Sequence, residues 1–502
     1  MKLNRLQKYL SIAFGTIGVA NAYFPVEIKN ESGISDENTF LVIKALNQFN
    51  EDCFMELNKQ TGEGVCLAAS NDFNSFDASY RLSELPKQAS NILLQLPQVS
   101  SGRIYFSYKH PMDLPIDYNS GKIIDADGFK PRDSNYYTLY DKIEFTYNDL
   151  GTWLNPTAVD NFGVPIRVEQ PTSAVYQETG FSLTRKYILD NIQNLIEIDN
   201  PNTADEWAKL LLNYQSDNGV NTILRFMSPG KAMVQNIPDT VSFDETFFTN
   251  SLLYGNNGKS YIDEVWEYYQ THTLKIDISE ITHSPRGTSL CYGQVDPGSN
   301  NFISTCDNGE NVSIPKQTSS LPFFAGAVGD FDAQNGTAKA VIVRELSAAT
   351  VVGLLPASSD VVLSRYYFEE HKHLYYQNNT PAAQHYDLYG KALHSFGADQ
   401  LTYTFAYDDA LAQDGTLHDP GIPGKATITL VNINQACSAL PNVFDQDNHQ
   451  YTIQPILPSN LQVNIANCVD NCNLQTNQTY VVNSPLKLDV TNTNDGTRYK
   501  LI

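Results

Sequence analysis

Two carboxylic acids, Glu144 and Asp160, stand among hydroxyl, amide and indole side chains in one extended stretch of the chain. From Tyr140 to Asn148, polar and apolar residues alternate with a period of two, which is typical of a strand with one buried face. Glu144 is therefore expected to point outward. The same outward face would carry Lys142, Thr146 and Asn148. A groove over this face would bring the acid and its polar neighbours against a bound chain.

Asp160 follows a turn-rich link that contains Gly151, Asn155 and Pro156. It is predicted to lie on a second strand. The residues expected to face inward from that strand are Phe162, Val164, Ile166 and Val168. Two neighbouring strands would bring Glu144 and Asp160 close together in space.

Such a pair of acids matches the requirements of glycoside hydrolysis. That reaction needs one protonated carboxyl to assist the leaving oxygen and one ionised carboxylate on the other side of the scissile bond. Trp153 lies between the two acids in a Gly/Asn/Pro-rich segment, where it is either a platform for a sugar ring or a core residue. Acids on an exposed hairpin are more often solvated surface groups, so their spacing alone does not establish catalysis.

A resemblance to a known family favours the catalytic interpretation of the two acids. The sequence EFTYN (residues 144–148), then Trp153, then Thr157 shortly before V-D-x-x-G-x-P, resembles the active-site signature of glycoside hydrolase family 64. These are the β-1,3-glucanases that release laminaripentaose, and they belong to the thaumatin-like superfamily. The separation of sixteen residues between the two acids also agrees. The resemblance implies that Glu144 is the general acid and Asp160 the general base of an inverting reaction that needs no cofactor.

The same resemblance supplies the expected substrate contacts. Glucan-binding positions of the family fall on Thr146, Asn148, Trp153 and Thr157. The sequences HYDLYGKALH and LTYTFAYDDA resemble the family's closing signature, whose paired acids line the groove, and this assigns Asp408 and Asp409 to ligand binding. We add Asp133, shortly upstream of the Glu144 strand, as a further groove residue. Ordinary loop and turn acids are the alternative for all three.

The resemblance and the periodicity together predict an α+β fold. A thaumatin-like β-sandwich or barrel lobe would comprise about 23–170 and 396–433, with a mixed α/β lobe inserted at about 171–395. The tail, 434–502, departs from the family and is expected to form a small β appendage. It would bind carbohydrate, dock a secretion apparatus or simply add stability.

Several segments carry more specific expectations. Amphipathic helices are predicted over Ser182–Ile198 and Ser260–Thr271, with a further helix beginning at Thr203. Trp207 and Trp266 lie on the apolar faces of such helices and are expected in the core. The other expectations are irregular structure over Asp52–Pro97, a strand and a helix within Thr318–Pro356, a strand over Asp399–Tyr407 and a strand within Gly424–Ile433.

The first 22 residues are typical of an export signal. A basic head with Lys2, Arg5 and Lys8 precedes an apolar stretch and the A-x-A site at residues 20–22. Its removal takes three basic residues and no acid, so the net charge changes from −23 to −26. Such an acidic surface repels phosphate backbones and anionic membranes, so neither nucleic acid nor a membrane is expected as a partner. We expect a secreted monomer, extracellular or periplasmic, whose partner is a neutral β-1,3-glucan.

The seven cysteines are consistent with export. Proximity in sequence pairs Cys53 with Cys66 and Cys291 with Cys306. The last three cysteines, Cys437, Cys468 and Cys472, leave one thiol over, and their pairing stays open. No metal site is expected, because the histidines of EEHKH (residues 369–373) lack the spacing of a zinc-binding helix.

Two functions from different classes remain at this stage. The first is a β-1,3-glucan hydrolase that releases short laminarioligosaccharides such as laminaripentaose. The second is a thaumatin-like or lectin-like protein that binds glucan in the same groove without cleaving it. A third, use of an old hydrolase scaffold by a toxin or adhesin, stays open. The presence of both acids with their polar neighbours favours the enzyme.

Overall fold

The computed structural model describes most of the chain between residues 23 and 435. The described ranges are 23–70, 73–117, 119–130, 133–199, 203–215, 221–235, 243–254, 258–377, 386–435 and 440, together with five strands of the C-terminal region. The predicted export signal and the cysteines Cys437, Cys468 and Cys472 lie outside the described residues. Contacts divide the chain into two compact units, Met1–Cys437 and Ser438–Ile502.

Strands predominate in the first unit, and helices are concentrated in its middle part. In chain order the elements up to residue 180 are β1 (Phe24–Asn30), β2 (Thr39–Leu46), β3 (Asp52–Leu57), β4 (Gly64–Ala68), β5 (Ser79–Arg81), β6 (Lys87–Gln88), β7 (Asn91–Leu96), β8 (Val99–Tyr108), β9 (Ile116–Asp117), β10 (Lys122–Ile123), β11 (Tyr140–Asn148), β12 (Gly151–Pro156), β13 (Asn161–Phe162), β14 (Ile166–Glu169) and β15 (Glu178–Gly180).

The remaining elements of this unit mix helices and strands. They are α1 (Arg185–Asp199), α2 (Ala204–Ala208), β16 (Leu211–Gln215), β17 (Asn221–Met227), α3 (Pro229–Gln235), α4 (Ser251–Tyr254), α5 (Tyr261–Tyr269), β18 (Leu274–Asp277), α6 (Ser279–Thr282), β19 (Leu290–Val295), β20 (Asn301–Cys306), β21 (Asn311–Pro315), α7 (Leu321–Ala325), α8 (Ala338–Val351), β22 (Val362–Leu363), α9 (Arg365–Glu370), α10 (Leu388–Phe396), β23 (Leu417–Pro420) and β24 (Ala426–Leu430).

Two sheets form a sandwich. One has the order β15-β14-β24-β1-β7-β6, and the other has the order β23-β12-β11-β8-β2-β3-β4, with β5 paired to β2. Alternate residues of their strands, such as Phe24, Val26 and Ile28 of β1, are buried in a core that both sheets share. Because one face of each sheet is apolar, the two faces pack together and exclude water. β24 completes the sandwich beside β1, as expected from its sequence.

The mixed lobe has its own core, in which helices pack on a five-stranded sheet of order β21-β20-β19-β18-β22. Two of its helices begin where the sequence predicts, α2 directly after Thr203 and α5 directly after Ser260, whereas α1 begins three residues after the predicted start at Ser182. Ser260 caps α5 by accepting from the Asp263 amide, and the Asp263 side chain accepts from the Ser260 amide in return. Trp207 and Trp266 are both buried in this core, as expected. The α+β fold class is thereby confirmed.

Three segment predictions are wrong. Residues 52–97 are not irregular but form β3 to β7, and their polar residues face solvent or occupy the connecting turns. Residues 318–356 contain α7 and α8 and no strand. The apolar run expected to form a strand belongs to α8, whose small residues such as Ala348 and Ala349 let neighbouring elements pack closely around the helix. Residues 399–407 form turns and a single bridge between Tyr403 and Thr157, not a strand.

The C-terminal unit contains short antiparallel pairings. Its strands are β25 (Gln450–Ile453), β26 (Leu461–Ile465), β27 (Tyr480–Asn483), β28 (Leu488–Asn492) and β29 (Arg498–Leu501). β25 pairs with β27, and β28 pairs with both β26 and β29. These strands agree with the β character expected of the tail.

Two disulfides join neighbouring strands of the first unit, Cys53–Cys66 across β3 and β4 and Cys291–Cys306 across β19 and β20. Both pairings match the sequence prediction. Among the described residues, every helix is too short or too polar to cross a bilayer.

Candidate active site

Glu144 lies in the middle of β11, between two neighbouring strands. Arg103 of β8 and Asn155 of β12 are its direct cross-strand partners. The predicted alternation of β11 is confirmed from Ile143 to Asn148, where Ile143, Phe145 and Tyr147 are buried and Glu144 is only partly so. Lys142, also expected to face outward, is buried. The Arg103 Nε donates to Glu144 Oε1 at 3.1 Å. The acid therefore stands on the sheet surface with a fixed orientation.

A cavity of about 240 Å³ covers this part of the sheet. Its lining residues are Ser101, Gly102, Arg103, Glu144, Phe145, Thr146, Trp153 and Asn155. Gly102 is required here, because a side chain at that position would collide with the Phe145 ring. Glu144 thus lies in a concave setting lined mainly by polar residues.

Arg103 was not identified from the sequence. Its guanidinium also pairs with Asp125, and Asp125 in turn accepts from Lys44 Nζ at 2.6 Å. Burial raises the pKa of Asp125, but the charges of Lys44 and Arg103 outweigh it and hold that pKa well below its usual range. The alternation of β8 places Arg103 on the polar face, and that was the only signal for it in the sequence.

Asp160 does not lie on a strand. The predicted turn-rich link is instead β12, which forms the hairpin with β11, and Asp160 lies in the bend between β12 and β13. The buried carboxylate of Asp141 holds the segment that follows, since it accepts from the amides of Gly163 and Val164 at 2.8 and 3.0 Å. Burial raises the pKa of Asp141 to about 6. A Cβ on Gly163 would lie 2.3 Å from the Tyr140 carbonyl oxygen, so only glycine allows this approach.

Two lysines hold the carboxylate of Asp160. Lys142, two residues before Glu144 on β11, donates to Oδ2, and Lys231 of α3 pairs with Oδ1 at 2.9 Å. Burial raises the pKa of Asp160, but the two ammonium groups outweigh it and hold that pKa well below its usual range. Since Lys142 and Glu144 share one face of β11, both acids lie on the same side of that strand.

Two of the predicted glucan contacts, Trp153 and Thr146, lie beside Glu144, and a third, Asn148, lies farther along β11. Trp153 lies on β12 opposite Thr146, and its indole stacks on the His418 ring with centroids 4.4 Å apart. Both Trp153 and Thr146 line the cavity. Asn148 lies at the end of β11, where its Oδ1 accepts from the Leu150 amide.

Thr157 and Asp133 are engaged in local structure. Thr157 is buried, and it bridges to Tyr403. Asp133 accepts from the amides of Asp127 and Asn135 and so closes a turn. Neither residue lines the cavity around Glu144.

Asp408 is buried, and its predicted role in ligand binding stays a prediction. Its side chain is 0% exposed, and its Oδ2 accepts from the Thr404 hydroxyl at 2.7 Å, the Phe405 amide at 3.0 Å and the Thr404 amide. These bonds fold residues 404–408 into a turn and explain why the predicted strand is absent. Asp409 is exposed on the same turn, and its role in binding stays a prediction.

We expect Asp408→Asn to destabilise the fold by about 2–4 kcal/mol, because a neutral amide replaces the buried charge that the Thr404 and Phe405 amides and the His394 ring now contact. Urea unfolding followed by circular dichroism measures this. The matched control is Asp409→Asn, which should change the free energy of unfolding by less than about 0.5 kcal/mol. Equal stability of both variants would contradict the structural role of Asp408.

Among the residues that the structure describes, no three His, Cys, Asp or Glu side chains are grouped to hold a metal ion. His371 and His373 of the EEHKH segment do not converge on a common ligand. The His371 Nδ1 lies 2.7 Å from the Tyr367 carbonyl oxygen, and the ring stacks on Tyr367.

Comparison with known proteins shows the family to which this chain belongs. The profile of glycoside hydrolase family 64, described as beta-1,3-glucanase, matches residues 22–430. The chain belongs to this family. Two proteins named glucan endo-1,3-beta-glucosidase, from Cellulosimicrobium cellulans and an Arthrobacter species, are each 25% identical to it over 70% and 68% of its length. The chain spans only 56% and 54% of those two family 64 relatives.

Solved structures of family 64 share the fold. A laminaripentaose-producing beta-1,3-glucanase in complex with laminaritetraose superposes with a TM-score of 0.62 at 23% identity, covering 82% of this chain and 99% of that one. A beta-1,3-glucanase domain from Clostridium beijerinckii gives a TM-score of 0.60 at 18% identity, covering 83% and 100%. At these identities the likeness establishes the fold of family 64.

Proposed function

We propose that the protein is a secreted β-1,3-glucan hydrolase that cleaves laminarin-type glucan with inversion at the anomeric carbon. The observation that supports the proposal is the placement of Glu144 and Asp160 on one side of β11, with Glu144 lining a polar cavity, in a chain of family 64. The proposed products are short laminarioligosaccharides such as laminaripentaose.

Each acid has one role in the proposed reaction. Protonated Glu144 gives its proton to the glycosidic oxygen as the bond to the anomeric carbon breaks. Ionised Asp160 takes a proton from a water molecule whose oxygen attacks that carbon from the opposite face. The single displacement needs room for the water, which means a carboxyl separation of about 6.5–9.5 Å. Arg103 orients Glu144 through its Nε.

The proposed groove has an aromatic platform in Trp153, which His418 supports from the side of β23. The stacking on His418 restricts the indole, and a restricted ring loses little entropy when a pyranose packs on it. Asn155 and Thr146, which line the same cavity, would donate and accept hydrogen bonds with glucose hydroxyls.

We expect Trp153→Ala to raise the KM for laminarin about fivefold, equivalent to about 1 kcal/mol of lost aromatic contact, with a smaller change in kcat. Trp153→Phe should recover most of the loss because it restores an aromatic face. Steady-state kinetics on laminarin measure both constants. An unchanged KM in Trp153→Ala would remove the indole from the binding surface.

Three further parts of the proposal come from the sequence predictions. The sandwich is proposed to be thaumatin-like, the protein to act as a monomer, and its first 22 residues to direct export. The two disulfides are consistent with an oxidising compartment.

The competing function is a glucan-binding protein without activity, because both acids of the site are held in ion pairs. Incubation of purified protein with laminarin distinguishes the two. Hydrolysis predicts a steady increase in reducing ends. Binding of laminarin with no new reducing ends over a long incubation would favour the binding protein.

A further inference from the structure

The two lysines on Asp160 come from different parts of the fold. Lys142 belongs to the sandwich strand that also carries Glu144, whereas Lys231 belongs to a helix of the mixed lobe. Their side chains differ in exposure, at 8% for Lys142 and 39% for Lys231. Each contacts a different oxygen of Asp160, so the carboxylate is held from both sides.

The backbone also fixes Asp160 between the lobes. The Ser228 amide donates to the Asp160 carbonyl oxygen at 3.0 Å, and Ser228 directly precedes α3. β13, which begins one residue after Asp160, pairs with β17. The segment that carries Lys231 is therefore attached to the segment that carries Asp160, and their ion pair is part of a defined geometry.

Among the described residues, few other titratable groups lie near Asp160 and its two lysines. Arg103 and Glu144 act on Lys142 from β8 and β11. Tyr140 and Tyr389 are buried phenols near Asp160, and burial raises the pKa of both well above the usual value, so they stay neutral. The positive charge that acts on Asp160 therefore comes from its two lysines.

We propose that Lys142 and Lys231 are positioning residues that hold Asp160 ionised and oriented as the base of the reaction. This inference rests on the proposed function. An inverting hydrolase needs two neighbouring carboxyls in opposite protonation states at one pH, and environments that separate their pKa values achieve this. The two ammonium groups give Asp160 the surroundings that an ionised base needs.

Removal of either lysine should shift the pH dependence of activity in one direction. The pKa of Asp160 is depressed, so Asp160 stays ionised as the pH falls past the usual titration range of a carboxyl, near 4. Removal of either lysine raises that pKa, and the base is then protonated at a higher pH. The acid limb of the pH profile should therefore move upward.

The test is the pH dependence of kcat/KM on laminarin, a neutral substrate that does not itself titrate. In Lys231→Met we expect the acid limb to move up by about one unit or more, equivalent to about tenfold lower relative activity at pH values below it. Lys142→Met should move it further, since that lysine is buried. Lys231→Arg should keep the limb of the unmodified protein because it retains the cation.

Lys231 is partly exposed, so its variants provide the test even if Lys142→Met does not fold. The matched control is Lys186→Met, which removes a lysine paired with Asp190 at 2.7 Å on the surface of α1. A purely structural role would lower activity equally at every pH. An unmoved acid limb in Lys231→Met, with active unmodified protein and an inactive Asp160→Asn variant, would overturn this inference alone. Absence of hydrolysis by the unmodified protein would instead overturn the proposed function.

Discussion

Glu144→Gln is expected to lower kcat on laminarin by at least about 100-fold while leaving the fold intact. General acid catalysis contributes on the order of 10²–10⁴ in rate, and glutamine has no proton to give to the leaving oxygen. Glutamine keeps the size of the side chain and an acceptor for the Arg103 Nε, so the strand pairing on both sides of β11 should persist. Initial rates of reducing-end release measure the effect.

The control for Glu144 is another strand acid with an arginine partner. Glu169 lies on β14 and pairs with Arg167 at 3.2 Å, and it does not line the Glu144 cavity. Glu169→Gln should retain the rate of the unmodified protein within about twofold. If Glu144→Gln and Glu169→Gln had similar rates, Glu144 would not be the acid.

Asp160→Asn is expected to produce a loss of similar size, about 100-fold or more, because an amide cannot remove a proton from the attacking water. This variant also leaves buried Lys142 without its carboxylate, and we expect it to lower the free energy of unfolding by about 3–5 kcal/mol. Rates must therefore be corrected for the folded fraction, measured by circular dichroism at the assay temperature.

Asp199 provides the matched control for this loss. Its carboxylate accepts from Lys391 Nζ at 2.7 Å and from Tyr386, and its exposure is close to that of Asp160. Asp199→Asn should also be less stable, but its folded fraction should keep full activity. A corrected rate for Asp160→Asn that equals the rate of the Asp199→Asn control would remove Asp160 from the mechanism.

The features that could be predicted from the sequence depend on residues that are close together in the chain. The alternation of β11 placed Glu144 on the partly exposed face, and the Ser260–Asp263 spacing marked the start of α5. Both disulfides followed from proximity in sequence because they join adjacent strands of hairpins. In each case the residues that decide the structure lie within about fifteen positions of one another.

The features that could not be predicted depend on partners far apart in the chain. Nothing near Asp160 in sequence indicates Lys231, 71 residues later, which reaches it only because β13 pairs with β17. Asp408 has the sequence context of an exposed strand end, but its carboxylate accepts backbone amides and stabilises a buried turn. Resemblance assigned Asp408 by position, whereas burial decides what its side chain can contact.

The most direct test of the account is the anomeric configuration of the first products released from laminarin, followed by proton NMR before mutarotation. Direct attack by water on a β-1,3 bond, with Glu144 as acid and Asp160 as base, predicts that the new reducing ends appear first as the α-anomer. Initial appearance of the β-anomer would indicate a covalent double displacement, in which Asp160 attacks the anomeric carbon itself, and would contradict its proposed role as the base.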